Sequence, residues 1–356
     1  MKKACLVVDS TYANDRIFDL ENKHLNRDNC LYMFSALRSA LRNQGFELRT
    51  QDLNRPADCD LIIFNEVPSE RGRWSDRMLA HSVLMIFESE LIRPDNWDTS
   101  FHRRCALVVT WSDPLIRTNE SLYVKGGFAH KFPEHLASRA FADRKLCTLI
   151  SGNKAVSHPL ELYSARRRAI RWFEAHAAAE FDYFGVGWER PYLQGGIPTR
   201  ALRKLGLLQY LPKRPSPCYR GLVESKLETL AQYKFSICFE NGHDIDGYIT
   251  EKIFDSFFAG CIPIYWGAGN IEGWIPASCF IDFRQFLSPG DQADSSAFEK
   301  LYRFLKGFSA SDYQAMRESI EAYLKSHQAA IFDADRLADS ITEAIDQALQ
   351  AREHSR

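Results

Sequence analysis

Residues 233–283 read YKFSICFENGHDIDGYITEKIFDSFFAGCIPIYWGAGNIEGWIPASCFIDF. Apolar runs of strand length alternate here with one helix-period stretch, and the polar residues gather at the junctions. Phe235 to Phe239 is a continuous apolar run that stops at Glu240, Asn241 and Gly242, so a polar cluster falls at the carboxyl end of a strand. From Thr250 the period changes: Ile253, Phe254, Phe257 and Phe258 share a helical face, Thr250 stands at the N-cap, and Gly260 stops the helix before the strand CIPIYWG. Glu251 and Lys252 then lie in the first helical turn. A lysine beside free backbone N–H groups at the positive end of a helix suits a phosphate, and a glutamate there can accept hydrogen bonds from sugar hydroxyls. Taken alone, the segment equally fits a surface Glu and Lys on an ordinary helix.

Taken in order, FENG, a short loop, GYITEK, an apolar helix, AGCIPIYWG and IPASCFIDF resemble the α-1,3-fucosyltransferases of glycosyltransferase family 10, in a bacterial α-1,3/4-fucosyltransferase form. Cys279 after Ser278 departs from the family's Pro-x-x-Ser-Phe-Ile segment, away from the polar positions. The resemblance implies that Asn241, Tyr248, Glu251 and Lys252 contact GDP-fucose, with Lys252 on the diphosphate and Glu251 on the nucleotide sugar. Asp244-Ile245-Asp246 has the Asp-x-Asp form used by metal-dependent transferases of another fold, but two loop carboxylates are usually solvated charge. Retaining two-domain transferases carry glutamates with seven residues between them, whereas ten separate Glu240 from Glu251.

Working outward, strand-like runs recur at 3–8, 46–49, 60–64, 83–87 and 106–111, with Leu31, Phe34, Leu37 and Leu41 on one helical face closed by Gly45. This alternation predicts a doubly wound α/β domain over residues 1–140. A second set begins with KLCTLISGN at Lys145, continues through a helix from Leu160 to Ala175 and the strand FDYFGVG, and defines a domain over 145–330. Residues 331–356 carry Leu337, Ile341, Ile345 and Leu349 at helical spacing and are expected to pack back on the body. The fold class is therefore α/β, and the resemblance implies the GT-B type: two facing Rossmann-like domains, acceptor mainly on the first and GDP-fucose on the second, with a cleft between.

The resemblance implies transfer of L-fucose from GDP-β-L-fucose to a glycan hydroxyl, O3 of GlcNAc or Glc, with inversion by single displacement. Such a reaction needs a base across the cleft. The strand SVLMIF runs into Glu88, Ser89 and Glu90, and matching Phe87-Glu88-Ser89 to the family's Phe-Glu-Ser-Pro makes Glu88 the base, with Glu90 in reserve and Glu66 after LIIFN a weaker rival. The competing reading is that both glutamates solubilise a strand end. In YSARRRAIRWFEAHAAA, Ala169, Ile170 and Phe173 follow Arg166 by three, four and seven residues, so Arg166 shares the buried face. The family's arginine at this helix contacts the donor phosphates, which recommends Arg166 over Arg167 and Arg168. Ser151, Gly152, Asn153 and the backbone of Gly185 end strands of the second domain and are expected to border the nucleotide. His243 precedes Tyr248 in its loop. The acceptor pocket is expected in the loops from Glu66 to Asp76, where RGRWSD offers basic and aromatic groups.

Forty-five Lys and Arg against 46 Asp and Glu leave a net charge of -1, which excludes the electrostatic footprint of a nucleic-acid binder. The anionic donor must therefore be held by local cations. Nine cysteines, an odd number in apolar runs without a Cys-x-x-Cys pair, read as reduced core residues, and the apolar start of MKKACLVVDSTY is only of strand length. A cytoplasmic location, reaching at most peripheral contact with the inner face of the membrane, follows as the expectation. The ten histidines show no metal-ligand spacing. No cofactor is expected to be required, and Mn or Mg would stimulate without a dedicated site. The expected partners are GDP-fucose and an oligosaccharide, polysaccharide or lipid-linked glycan. Two alternatives stay open: a GT-B transferase for another nucleotide sugar, and a silent nucleotide- or glycan-binding protein.

Overall fold

The computed structural model describes residues 1–189, 216–288 and 293–354, with side chains to residue 351. Six strands make the first sheet: β1 (Lys2–Val7), β2 (Phe46–Thr50), β3 (Leu61–Asn65), β4 (Ser82–Ile86), β5 (Leu107–Thr110) and β6 (Tyr123–Lys125). Their order is β2-β1-β3-β4-β5-β6, and every pairing is parallel. Parallel strands covered on both faces need apolar side chains throughout, and β4 and β5 are buried along their whole length. The predicted strands match β1 to β5 within a residue or two. β6, three residues long, is too short to show in the pattern.

The second sheet holds β7 (Lys145–Ile150), β8 (Phe181–Phe184), β9 (Tyr233–Phe239), β10 (Ile262–Trp266) and β11 (Ile281–Asp282), ordered β11-β10-β9-β7-β8 and again wholly parallel. The helix Tyr163–His176 joins β7 to β8, and the helix Glu251–Phe258 joins β9 to β10. In each sheet the chain first steps to one side and then crosses to the other. The carboxyl ends part at these crossings, β1 from β3 and β7 from β9, and open sheets bind ligands at such switch points.

After the second sheet the chain returns. Helix Ala334–His354 lays Leu337, Ile341 and Ile345 into the core that contains Leu37, Leu41 and the inner side of β1 and β3. The two halves also meet through polar contacts. Asp113 accepts hydrogen bonds from Lys125 Nζ (2.6 Å), Asn270 Nδ2 (2.6 Å) and Trp274 Nε1 (3.0 Å), and Asn270 Oδ1 accepts the Gly247 N–H at 2.9 Å. Gly247 has φ +83°, and a Cβ there would lie 2.2 Å from the Trp111 carbonyl oxygen. Only glycine allows this approach of the halves. Among the described residues, no helix is long and apolar enough to cross a membrane.

Candidate active site

At the end of β9 the backbone turns so that Glu240 points inward, and its side chain is fully enclosed. Oε1 accepts the Thr250 N–H at 2.8 Å, while Oε2 accepts the Thr250 hydroxyl at 2.7 Å and Lys252 Nζ at 3.1 Å. Thr250 holds the expected N-cap position but does not cap with its side chain: the hydroxyl turns to Glu240 and accepts Lys252 Nζ at 2.8 Å. The hydroxyl proton goes to the carboxylate, and the Lys252 ammonium takes the oxygen that the helix N–H groups would otherwise use. Lys252 is thus fixed at the first turn, with Glu251 Oε1 3.5 Å away. Enclosure pushes the Glu251 carboxyl up, but the ammonium groups of Lys252 and Lys226 outweigh it and hold the group well below the usual carboxylate range.

Arg166 is buried in the helix Tyr163–His176 and reaches the same strand end. Its Nε and Nη2 donate to the Phe239 carbonyl (3.2 and 2.6 Å), and Nη2 also donates to the Glu240 carbonyl (2.7 Å) and Asn241 Oδ1 (3.2 Å). Asn241 Nδ2 in turn donates to the Tyr248 hydroxyl at 3.1 Å. Burial keeps that phenol neutral, and its ring packs on Trp111, just after β5 of the first half, at 4.8 Å. Arg166, Asn241, Tyr248, Glu251 and Lys252 all line one cavity of about 310 Å³ at the β7/β9 switch point, together with Ser151, Gly152 and Gly185. Arg167 gives its Nη1 to the Lys154 carbonyl, and Asn153 bonds the Gly187 carbonyl at 3.1 Å; neither borders this cavity.

Across the cleft, Glu88 follows β4 and lines both this cavity and a second one, of about 520 Å³, at the β1/β3 switch point. Its Oε2 is enclosed and has no hydrogen-bond partner. Enclosure raises the carboxyl's affinity for a proton, opposed by Lys252 and reinforced by Glu251. Glu66 lies in the second cavity with a left-handed backbone, φ +73°. Its Oε1 accepts the N–H groups of Phe87 and Glu88, both at 2.9 Å, and its Oε2 accepts Asn96 Nδ2. Burial pushes the Glu66 carboxyl up to about 7. It shapes the turn that presents Glu88. Glu90 is exposed and borders neither cavity, because the turn after β4 directs it outward.

Other expectations need correction. The RGRWSD loop does not wall the second cavity: Trp74 is buried edge-on against Phe64 at 4.7 Å, and Arg71 pairs with Asp98. The wall comes instead from the segment after β1, with Tyr12, Ile17, Leu25, Arg27 and Phe34. His243 stacks on Trp266 at 5.4 Å and pairs with Asp244 at 2.6 Å, outside both cavities, while Asp246 approaches Arg117 at 3.9 Å. Glu240 and Lys226 were not foreseen. Lys226 borders both cavities, pairs with Asp255 at 2.7 Å, and donates its backbone N–H to Asp28 of the first half at 2.8 Å. The strand-end glutamate of FENG was the available signal for Glu240; Lys226 lies in KLETL with nothing local to mark it.

Residues 217–303, which contain Glu240, Asn241, Tyr248, Glu251 and Lys252, match the family model for the C-terminal part of glycosyltransferase family 10 (fucosyltransferase). Over these residues the chain is similar to the C-terminal part of that family. Its curated relatives include the α-(1,3)-fucosyltransferase FucT of Helicobacter pylori, 44% identical over 72 residues, 20% of this chain and 15% of that protein. A fucosyltransferase-like protein of Arabidopsis thaliana is 36% identical over 117 residues, 32% of this chain and 21% of its own length. The chain thus spans about a fifth or less of the length of these relatives. The two halves together are similar in fold to a crystal structure of an α1,3-fucosyltransferase with GDP-fucose, TM-score 0.53 at 15% identity over 98% of this chain and 90% of that one. Anabaena HepE in complex with UDP and glucose gives TM-score 0.53 at 11% identity, over 98% and 100% of the two chains. The architecture is that of the GT-B glycosyltransferases.

Proposed function

We propose that this protein is an inverting fucosyltransferase that moves L-fucose from GDP-β-L-fucose to a hydroxyl of a glycan acceptor, O3 of GlcNAc or Glc. One observation carries the reading: Glu88 stands in the wall common to the two switch-point cavities, facing Lys252 and Glu251 across the cleft. The donor diphosphate lies at Lys252 and the first turn of helix Glu251–Phe258, where backbone N–H groups and the ammonium meet negative charge. Arg166 holds the β9 end that carries Asn241 and adds positive charge beneath it. Glu251 accepts hydrogen bonds from fucose hydroxyls. The acceptor oxygen bonds to fucose C1 as the bond from C1 to the β-phosphate oxygen breaks; the hydroxyl proton passes to Glu88 and the electron pair leaves with GDP. In this reading the positive charge at the diphosphate is the protein's own, and added Mn or Mg stimulates without a protein ligand set.

The test is GDP release from GDP-fucose with lactose, N-acetyllactosamine and a bacterial polysaccharide as acceptors. Wild type is expected to release GDP only with acceptor. Glu88→Gln should lose about 10²–10⁴-fold in kcat while binding GDP normally, and Lys252→Ala should lose GDP affinity. Tight GDP binding without turnover on any donor or acceptor would favour a silent binder, and turnover with another nucleotide sugar alone would move the reading to that donor.

A further inference from the structure

Among the described residues, five cations border the 310 Å³ cavity: Arg27, Lys154, Arg166, Lys226 and Lys252. Four of them are already committed. Lys252 lies 3.1 Å from Glu240 and 3.5 Å from Glu251, Lys226 2.7 Å from Asp255, and Arg27 3.4 Å from Asp28. Arg166 gives its guanidinium to the carbonyls of Phe239 and Glu240 and to Asn241. Lys154 differs: it is exposed, and among the described residues its ammonium meets no carboxylate. Its backbone is fixed all the same, in the loop after β7. The Lys154 N–H donates to the Gly152 carbonyl at 2.9 Å, and the Lys154 carbonyl accepts Arg167 Nη1 at 2.7 Å. The stem lies along Gly152, where a Cβ would stand 3.7 Å from Lys154 Cγ and 3.8 Å from Cε. Gly152 is part of the cavity wall, so the stem carries the ammonium along that wall. Its charge is felt across the cleft, where it opposes proton uptake by Glu88.

We propose that Lys154 Nζ pairs with the donor diphosphate from the β7 side of the switch point, as Lys252 does from the β9 side; this rests on the fucosyltransferase reading above. A diphosphate gains negative charge as its bond to the sugar breaks, and each ammonium against it stabilises the leaving group. Lys252 must be shared with Glu240 and Glu251, whereas Lys154 meets the phosphate without loss of an ion pair. A solvated ammonium contributes little by itself. Once the nucleotide covers it, water no longer screens the pairing, and the same charge counts for more.

The test is binding of GDP and of guanosine to wild type, Lys154→Ala and Lys154→Arg by calorimetry, with steady-state transfer to N-acetyllactosamine beside it. Lys154→Ala should bind GDP about tenfold more weakly and guanosine as wild type does, since only the diphosphate meets the ammonium. KM for GDP-fucose should rise with it while the acceptor KM holds. Lys154→Arg keeps the charge and should stay within about threefold of wild type. Added salt should weaken GDP binding more in wild type than in Lys154→Ala. GDP affinity within about twofold of wild type in Lys154→Ala makes the residue a solvated surface lysine and overturns the proposal. An equal loss of guanosine affinity, or no recovery in Lys154→Arg, overturns it as well, because a displaced β7 loop would give either. Wild type that binds GDP but transfers no fucose refutes the underlying reaction instead and leaves the Lys154 comparison intact. Wild type that binds UDP in place of GDP refutes the donor, and UDP with uridine then makes the same comparison; wild type that binds neither overturns both readings.

Discussion

Replacing Glu240 by Gln tests the least visible part of the site. In wild type the carboxylate accepts Lys252 Nζ at 3.1 Å, the Thr250 hydroxyl at 2.7 Å and the Thr250 N–H at 2.8 Å, all at a fully enclosed side chain. The amide keeps one oxygen for the backbone N–H but turns an NH2 group toward the hydroxyl and the ammonium. Thr250 can rotate its hydroxyl and accept; Lys252 cannot. The loss is one charge-assisted hydrogen bond, about 2–3 kcal/mol. It falls below the about 3–5 kcal/mol of a wholly enclosed broken pair, because Lys252 keeps 21% side-chain exposure and Glu251 at 3.5 Å. At about 2 °C per kcal/mol for a chain of this size, Tm of the free protein should fall about 4–6 °C. GDP changes the balance, since its diphosphate gives Lys252 a substitute anion, and saturating GDP should therefore close much of the gap. Differential scanning calorimetry of both proteins, with and without GDP, measures this. A free variant within about 1 °C of wild type, or an equal gap at saturating GDP, would refute Glu240 as the counter-charge of Lys252.

The Glu66 carboxyl, at about 7 when folded, stays protonated while the unfolded chain ionises, so the folded state binds more protons between about pH 4.5 and 7 and its stability falls as pH rises through that window. Glu66→Gln lacks this proton, and urea titrations at pH 4.5 and pH 8 should show its stability relative to wild type improving by up to about 3 kcal/mol. Asp113→Ala strips Lys125 of its carboxylate while the ammonium stays 3.9 Å from the Trp274 ring centroid. It should cost about 2–4 kcal/mol in urea unfolding and alter Trp274 fluorescence, whereas an unchanged midpoint would mean the halves do not depend on this contact.

The strands were legible because parallel strands buried on both faces are continuous apolar runs; β9 and β10 could be bounded at Glu240 and Gly267 by the arrival of polar residues alone. Lys252 and Glu251 were legible because helical period fixes them to the first turn. Glu240 was not, since its enclosure is made by Thr250 and Lys252 ten and twelve residues on, folding over it. The absence of the RGRWSD side chains from the second cavity has a similar origin. Trp74 in RGRWSD reads as a loop aromatic, but the partner that buries it, Phe64, belongs to a strand, and no local pattern reports that contact. Residues 12–34, which line much of that cavity, lack helical or strand period for most of their length. They turn through left-handed residues such as Asn14, Asp15, Asp28 and Asn29, which only tertiary contacts select.

The charges around the cleft make sense as a cycle. Lys252, Lys226 and Arg166, with Arg27 and Lys154 on the same wall, stand among Glu88, Glu251 and Asp255, and Lys252 also pairs with the enclosed Glu240. Glu251 is matched by Lys252 and Lys226 and stays ionised. Burial pushes the Asp255 carboxyl up to about 6 and raises Glu88 for the same reason. In the proposed reaction, a diphosphate entering at Lys252 would draw on the cation that otherwise opposes the rise at Glu88 and would add negative charge of its own. Both changes strengthen Glu88 as a proton acceptor while the acceptor hydroxyl is in place. Departure of GDP returns Lys252 to Glu240 and Glu251 and weakens the hold on the proton. In the proposed reaction, the carboxylate that takes a proton in the loaded cleft and releases it in the empty one would thus be tuned by the same lysine that binds the leaving group.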